Sequence, residues 1–281
     1  MSVRSVLISG CSSGIGHVCA LGLHARGYRV FAGARDADDV RMLKEQGLHA
    51  VQLDVADSAS IDAALEHVLS ASNGELYALF NNAGYGQPGA VEDLSRDVLR
   101  EQFETNVFGL HELTCKVLPV MRAAGEGRIV HNSSILGLIS MRFRGAYQAS
   151  KYAVEALADT LRQELSGTSI HVSLIEPGPV QSRFRENGYM MFKRHINVEA
   201  SAHRETYRAV ERRLAHGEDD GAFTLPATAV LDKLIHALEH PRPRPRYYVT
   251  VPTYVMGGLK RVLSSAMLDR VLLAVSRSEM K

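Results

Sequence analysis

Ser5-Val6-Leu7-Ile8-Ser9-Gly10-Cys11-Ser12-Ser13-Gly14-Ile15-Gly16 decides how the rest of the chain is read. A short aliphatic run, Ser5 to Ser9, ends in a glycine-rich turn, and a helix-length segment follows near residues 15–25. Glycines let the backbone turn tightly and approach a ligand, and the unpaired amides at the start of the next helix attract phosphate. Such a turn alone is a weak signal. Directly after a first buried strand it marks the carboxyl end of a sheet, where open α/β proteins bind their ligands. The glycines are separated by three residues and then by one, unlike the common Gly-x-Gly-x-x-Gly fingerprint.

Working outward, short apolar runs alternate with helical periodicity. Arg29 to Ala34, His49 to Val55, Tyr77 to Asn81, Arg128 to Asn132 and His171 to Ile175 read as further buried strands, and Tyr247 to Val251 as a seventh. Helical segments fall near 38–46, 58–71, 97–123, 149–166 and 227–239. This alternation predicts an α/β fold: one doubly wound Rossmann-type domain over 1–281, with a parallel seven-stranded sheet and helices on both faces. Residues 183–226 read as a substrate lid and 254–281 as a C-terminal helical extension.

Composition bounds the function. With 281 residues, 46% hydrophobic and 22% charged, a packed core is expected and bulk disorder is not. The 32 basic and 31 acidic residues leave a net charge of +1, so no long-range field gathers nucleic acid. Cys11, Cys19 and Cys115 lack metal-ligand spacing and read as reduced, buried thiols of a cytoplasmic protein. The amino terminus does not fit a signal peptide, and no run reaches the ~18 apolar residues of a membrane span. His236 and His240 share a helix face without a third ligand, so no metal site is expected.

Tyr147 and Lys151 lie four residues apart, with Ser134 thirteen residues upstream of the tyrosine. On a helix this spacing puts phenol and ammonium on one face, where the cation stabilises the phenolate. A phenol with a pKa of ~10 is otherwise a poor proton carrier at neutral pH. Taken alone, the pair is equally an ordinary surface contact.

The glycine spacing, Asn81-Asn82-Ala83-Gly84, Asn106 in Asn106-Val107-Phe108-Gly109, Ser134, Tyr147-x-x-x-Lys151 and Pro177-Gly178 together resemble the short-chain dehydrogenase/reductase family, over residues 5 to about 182. Within it, the glycine turn and Glu176-Pro177-Gly178-Pro179-Val180-Gln181-Ser182-Arg183-Phe184 look most like the branch with 17β-hydroxysteroid dehydrogenases, retinol dehydrogenases and bacterial NADP-dependent aldehyde reductases. The resemblance implies hydride exchange between a nicotinamide cofactor and a carbonyl or alcohol. Tyr147 would give the proton, Ser134 would bind the same oxygen, Lys151 would lower the tyrosine pKa and hold the ribose, and Asn106 would position a water leading from Lys151 to solvent. A nucleotide-binding scaffold or redox sensor with little turnover is the competing reading.

By the same resemblance, Gly10, Ser12, Ser13, Gly14, Ile15 and Gly16 cradle the cofactor phosphates. Asp54 meets the adenine amino group and Val55 packs beside the ring. Asn82, Ala83, Gly84, Pro177, Gly178, Val180 and Ser182 complete the cleft. Three departures are visible: Ser9 replaces a threonine, His131 an asparagine, and Ser182 a threonine. The acidic position that selects NAD falls on Ala34, and Arg35 follows it, so NADP(H) is preferred and NAD(H) stays open. Asp36 reads as a cap on the helix beginning at Asp38-Asp39-Val40.

Tyr85, Ile135, Leu136, Phe143 and Pro179 are the candidate apolar walls of the substrate site, with Tyr189, Met190, Met191 and Phe192 on the lid. They suit an apolar aldehyde, ketone, steroid or retinoid better than a sugar. From Tyr254 to Val275, apolar residues recur at helical spacing between Lys260, Arg261 and Arg270. Packing on a partner subunit or over the pocket, and peripheral contact with a membrane, are both open readings. The helices near 97–123 and 149–166 are where the family's homodimers and homotetramers assemble, so a homo-oligomer is expected by analogy.

Overall fold

A computed structural model describes residues 3–215 and 221–279. β1 (Ser5–Ile8), β2 (Arg29–Ala34) and β3 (His49–Gln52) alternate with α1 (Gly14–Ala25) and α2 (Ala37–Glu45), and α3 (Ser58–Ala71) follows. The chain then crosses to β4 (Ala78–Asn81) on the other side of β1, and β5 (Gly127–Asn132), β6 (Ile170–Glu176) and β7 (Arg246–Tyr248) continue outward. All seven strands are parallel, in the order β3-β2-β1-β4-β5-β6-β7. The order reverses between β1 and β4, and that reversal opens a crevice at the carboxyl ends of both strands.

The two faces of β1 explain its unbroken apolar run. Val6 and Ile8 pack with Cys19 and Leu23 of α1 and with Val230 and Leu234 of α9 (Thr228–Glu239). Leu7, between them, packs on the opposite layer. That layer holds Ile61 of α3, Leu113 and Val117 of α5 (Leu110–Ala124) and Val154 of α6 (Gly145–Glu164). With both faces covered, strict alternation of polar and apolar residues is lost, as in any parallel sheet under two helical layers.

Several expected elements end elsewhere. β3 stops at Gln52, so Asp54 and Val55 lie in the turn beyond it. The segment 97–123 is three pieces: α4 (Arg96–Phe103), a π-helical turn over Glu104–Gly109, and α5. A β-carbon on Gly109 would sit 1.8 Å from the Val55 carbonyl oxygen, so glycine lets this helix reach the turn after β3. β7 ends at Tyr248 rather than Val251, because Val251 opens α10 (Val251–Val262) with Pro252 in its first turn. The tail is not one helix. The backbone becomes extended at Leu263, and α11 (Ser265–Glu279) starts a new direction.

The segment expected as a lid carries α7 (Phe184–His195) and α8 (Arg204–Ala215). Phe192, Tyr207, Val210 and Leu214 form their own core with Phe143. Residues 216–220 of the expected lid and 280–281 of the extension lie outside the described residues. Cys11 and Cys19 are buried, and burial pushes both thiols up. Cys115, expected inside, is exposed on α5 beside His111.

Candidate active site

The crevice beyond β1 and β4 is the start of a cleft of about 1530 Å³. Gly10 and Gly14 take positive φ, 71° and 58°, which turns the chain sharply between β1 and α1. Ser13 occupies the N-cap of α1 with its side chain making no capping bond, so the first amides of that helix are left to a ligand. Gly16 does not line the cleft. A β-carbon there would lie 2.1 Å from the Gly10 carbonyl oxygen and 2.5 Å from Asn82 Nδ2, so this glycine lets the turn close on the β4 loop. The Ser9 hydroxyl accepts from the amides of Asn82 and Ala83 at 3.1 and 3.0 Å, doing what a threonine hydroxyl would do. Asn82 Nδ2 donates to the carbonyls of Ser9 and Gly10, and Asn132 Nδ2 donates to Asn82 Oδ1 at 2.9 Å. The ends of β1, β4 and β5 are thereby tied into one rigid floor.

Ser12, Ser13, Gly14 and Ile15 line this half of the cleft, with Arg35, Asp54, Val55, Ala83, Gly84, Pro177, Gly178, Val180 and Ser182. Arg35 is 71% exposed at the end of β2, its nearest carboxylate being Asp36 at 3.8 Å. Asp36 does stand at the N-cap of α2, but without the capping bond expected of it. Asp54 Oδ1 accepts from the Ala56 amide at 3.0 Å, shaping its own turn, and Asp57 caps α3. Free amides at a helix start, a guanidinium facing the cleft and an unpartnered Asn132 Oδ1 form a donor and acceptor set that fits a dinucleotide.

The other half holds the candidate reactive groups. Ser134 ends the β5 loop, and Tyr147 and Lys151 lie one turn apart on α6, all three nearly buried. Ser134 and Tyr147 are hydrogen-bonded through their side chains. Lys151 Nζ donates to the Asn132 carbonyl at 2.6 Å and lies 5.6 Å from the Tyr147 ring centroid. Burial pushes the phenol up to about 12, against the expectation of a lowered value, with the Ser134 bond opposing it. Burial also pulls Lys151 down to about 8, and the nearby Glu155 carboxylate resists that fall. Desolvation of both charged forms outweighs their spacing on the helix.

Asn106 is fully buried in the π-helical turn and does not line the cleft. Its amide clamps the Tyr85 backbone, accepting from the nitrogen at 3.1 Å and donating to the carbonyl at 3.0 Å. It also donates to Ser150 Oγ at 3.0 Å, and Ser150 in turn bonds the Tyr147 carbonyl. The side chain therefore braces both walls of the cleft.

Tyr85, Ile135, Leu136, Phe143 and Pro179 line this half of the cleft, as do Met190 and Met191 of α7, whereas Phe192 turns into the core that α7 shares with α8. Sequence reasoning missed Phe184, whose ring is 5.0 Å from that of Tyr147, and Met141 and Met256. It left open Leu272 of α11, which packs with Leu136, Ile139 and Tyr147. It also missed a buried ionic cluster behind Lys151. Glu155, one turn further along α6, accepts from Ser133 and Arg246, and Arg246 on β7 also binds Glu176 and Asp159 at 2.6 Å each. The i,i+4 spacing of Lys151 and Glu155 was the available signal. His131 is buried against Asn81, and burial pulls its imidazole down to about 3. His236 and His240 stack at 4.6 Å and bond Tyr247 and Arg242 through their ring nitrogens.

Comparison with known proteins places this site in a family. The model of the short chain dehydrogenases matches residues 4–190. An uncharacterized oxidoreductase, YbbO, of Escherichia coli K12 is 43% identical over 269 residues, covering 96% of this chain and 94% of its own. The 17-beta-hydroxysteroid dehydrogenase type 6 of Bos taurus is 36% identical, covering 87% and 80%. The crystal structure of a short-chain dehydrogenase/reductase from Burkholderia phymatum in complex with NAD superposes with a TM-score of 0.77 at 28% identity, covering 93% and 92%. The chain belongs to the short-chain dehydrogenase family of oxidoreductases.

Proposed function

We propose that this protein is an NADP(H)-dependent reductase of apolar aldehydes or ketones, reversible as an alcohol dehydrogenase, with Tyr147 as general acid and base. The observation that carries the reading is the buried Ser134, Tyr147 and Lys151 cluster facing the same cleft as the glycine cradle of α1. A bound nicotinamide supplies the hydride. Ser134 donates to the carbonyl oxygen and holds it against the phenol, which releases its proton as charge develops there. Lys151, kept cationic by Glu155, stabilises the phenolate left behind and offers its ammonium to the ribose hydroxyls. Asn106 acts as a positioning residue through Tyr85 and Ser150.

Arg35 supports NADP(H) over NAD(H): a planar cation at the end of β2, without a carboxylate at Ala34, suits a 2′-phosphate. Met141, Phe184, Met256 and Leu272 support an apolar substrate. Phe108, Tyr152 and Leu157, exposed on the π-helical turn and α6, support a homo-oligomer built on these helices. Oxidation of NADPH with a panel of aldehydes and ketones tests the activity. Tyr147→Phe is expected to keep cofactor affinity and lose about 10²–10⁴-fold in turnover. Unchanged turnover would overturn the assigned mechanism, and tight NADPH binding with no turnover on any carbonyl would favour a scaffold.

A further inference from the structure

α10 presents an apolar stripe that stays exposed among the described residues. Val251, Tyr254, Val255, Gly258 and Val262 recur at helical spacing and are all exposed, Val262 at 77%. The opposite face is the one packed inward: Thr253 and Gly257 are buried, and a β-carbon on Gly257 would meet the Tyr248 ring at 2.9 Å. On α11, Leu272 points into the cleft while Met267 and Leu273 are exposed. A surface helix of a soluble monomer normally shows polar residues on its outer face.

Charge selects the occupant. Lys260, Arg261, Arg270 and Arg277 lie in the sequence of these two helices, against the acids Asp269 and Glu279. Pairing two copies through this patch would bring like charges together around a two-fold axis, which disfavours a second copy. An anionic lipid surface complements both features, taking valines and tyrosine at the acyl boundary and the guanidinium groups among its headgroups. No helix among the described residues is long and apolar enough to cross a membrane. Contact of this kind is therefore peripheral.

We infer that α10 and α11 dock the protein on an anionic membrane surface and turn the substrate cleft toward it. Pro252 and Met256 of α10 and Leu272 of α11 line the cleft, so the docking helices and the cleft wall are the same elements. Phe184, Met190 and Phe223, also cleft-lining, are 40, 54 and 56% exposed and give it an apolar rim. Lipophilic substrate dissolved in the bilayer then reaches the cleft without crossing water. The docking itself is independent of the proposed activity; only the delivery of substrate rests on it.

Co-sedimentation of the full chain with vesicles of phosphatidylcholine alone, and of phosphatidylcholine with phosphatidylserine, tests the docking. The wild type is expected to pellet with the anionic vesicles and to be released by salt. Val255→Asp with Val262→Asp, and separately Arg261→Glu with Arg270→Glu, should each lower binding by at least about tenfold. Both pairs are exposed, so thermal stability and turnover of a short water-soluble aldehyde should stay unchanged. Equal pelleting of wild type and variants, or no pelleting of the wild type, overturns the inference. So does a dimer in sedimentation velocity that the aspartate pair abolishes while vesicles bind neither form. Loss of turnover with docking intact would fail the activity reading alone.

Discussion

Arg246→Met would separate the carboxylates behind Lys151 from the cation that they share. Glu176 is fully buried, its Oε1 bonds Arg246 at 2.6 Å, and its Oε2 has no partner. Glu155 is also buried and shares the same guanidinium, whereas Asp159 keeps Arg162 at 2.9 Å. Breaking a buried pair from one side costs about 3–5 kcal/mol, and Arg246 is a quarter exposed, which points to about 3 kcal/mol. For a chain of this size that corresponds to a Tm lower by roughly 6 °C. The sign with pH is fixed by Glu176, which burial and the Glu155 charge push up to about 8. Its folded pKa exceeds the unfolded carboxylate value, so its contribution is full at acid pH and lost as pH rises through about 8. Without the guanidinium both carboxyls titrate higher still. The deficit of Arg246→Met against wild type should therefore be small near pH 5 and grow toward pH 9, in thermal melts followed by circular dichroism. A deficit that shrinks as pH rises, or stays within about 1 °C throughout, would refute this account of the cluster.

Arg35→Ala should lower kcat/KM with NADPH by about 10–100-fold, the worth of charge-assisted hydrogen bonds to a phosphate, and leave NADH nearly unchanged. An equal fall with both cofactors would show that Arg35 does not read the 2′-phosphate. Gly16→Ala puts a β-carbon 2.1 Å from the Gly10 carbonyl oxygen, a backbone atom with no room to yield, and should cost about 1–3 kcal/mol with a matching loss of NADPH affinity. Isothermal titration and thermal melts on the same sample check both effects. Because burial pulls Lys151 down to about 8, kcat/KM for carbonyl reduction should decline above that pH, and Lys151→Arg should flatten the limb. A wild-type profile level to about pH 10 would contradict it.

The sheet was legible because two-sided burial leaves an apolar run in its central strands such as β1 and β4, and β2 begins and ends where its run does. Boundaries failed where a long-range contact set them. Nothing in Glu104–Gly109 itself announces a π-helical turn, nor that Gly109 at its end lies against the Val55 carbonyl from across the chain. Residues 254–275 keep one helical period while folding as two helices, since α10 and α11 each need an inward face and Leu263 merely joins them. The same periodicity could not say which side of each helix is covered. That required Leu272 seen against Tyr147 and Val262 seen in the open.

The candidate site was legible as a set of residues and not as a set of charges. Spacing brings Tyr147 and Lys151 together, but it carries no information on how dry their surroundings are. Leu136, Ile139 and Leu272 close around the phenol, and the resulting desolvation raises its pKa where an exposed i,i+4 pair would lower it. The same dryness pulls the ammonium of Lys151 down, and Glu155 opposes that fall from one turn away. Glu155 is itself buried, so it demands Arg246, and Arg246 comes from β7, nearly a hundred residues later. The helix that carries Tyr147 and Lys151 is thus electrostatically complete only when β7 has joined the sheet. The same strand leads directly into α10 and α11, so the elements that charge the lysine also wall the cleft and carry the apolar stripe.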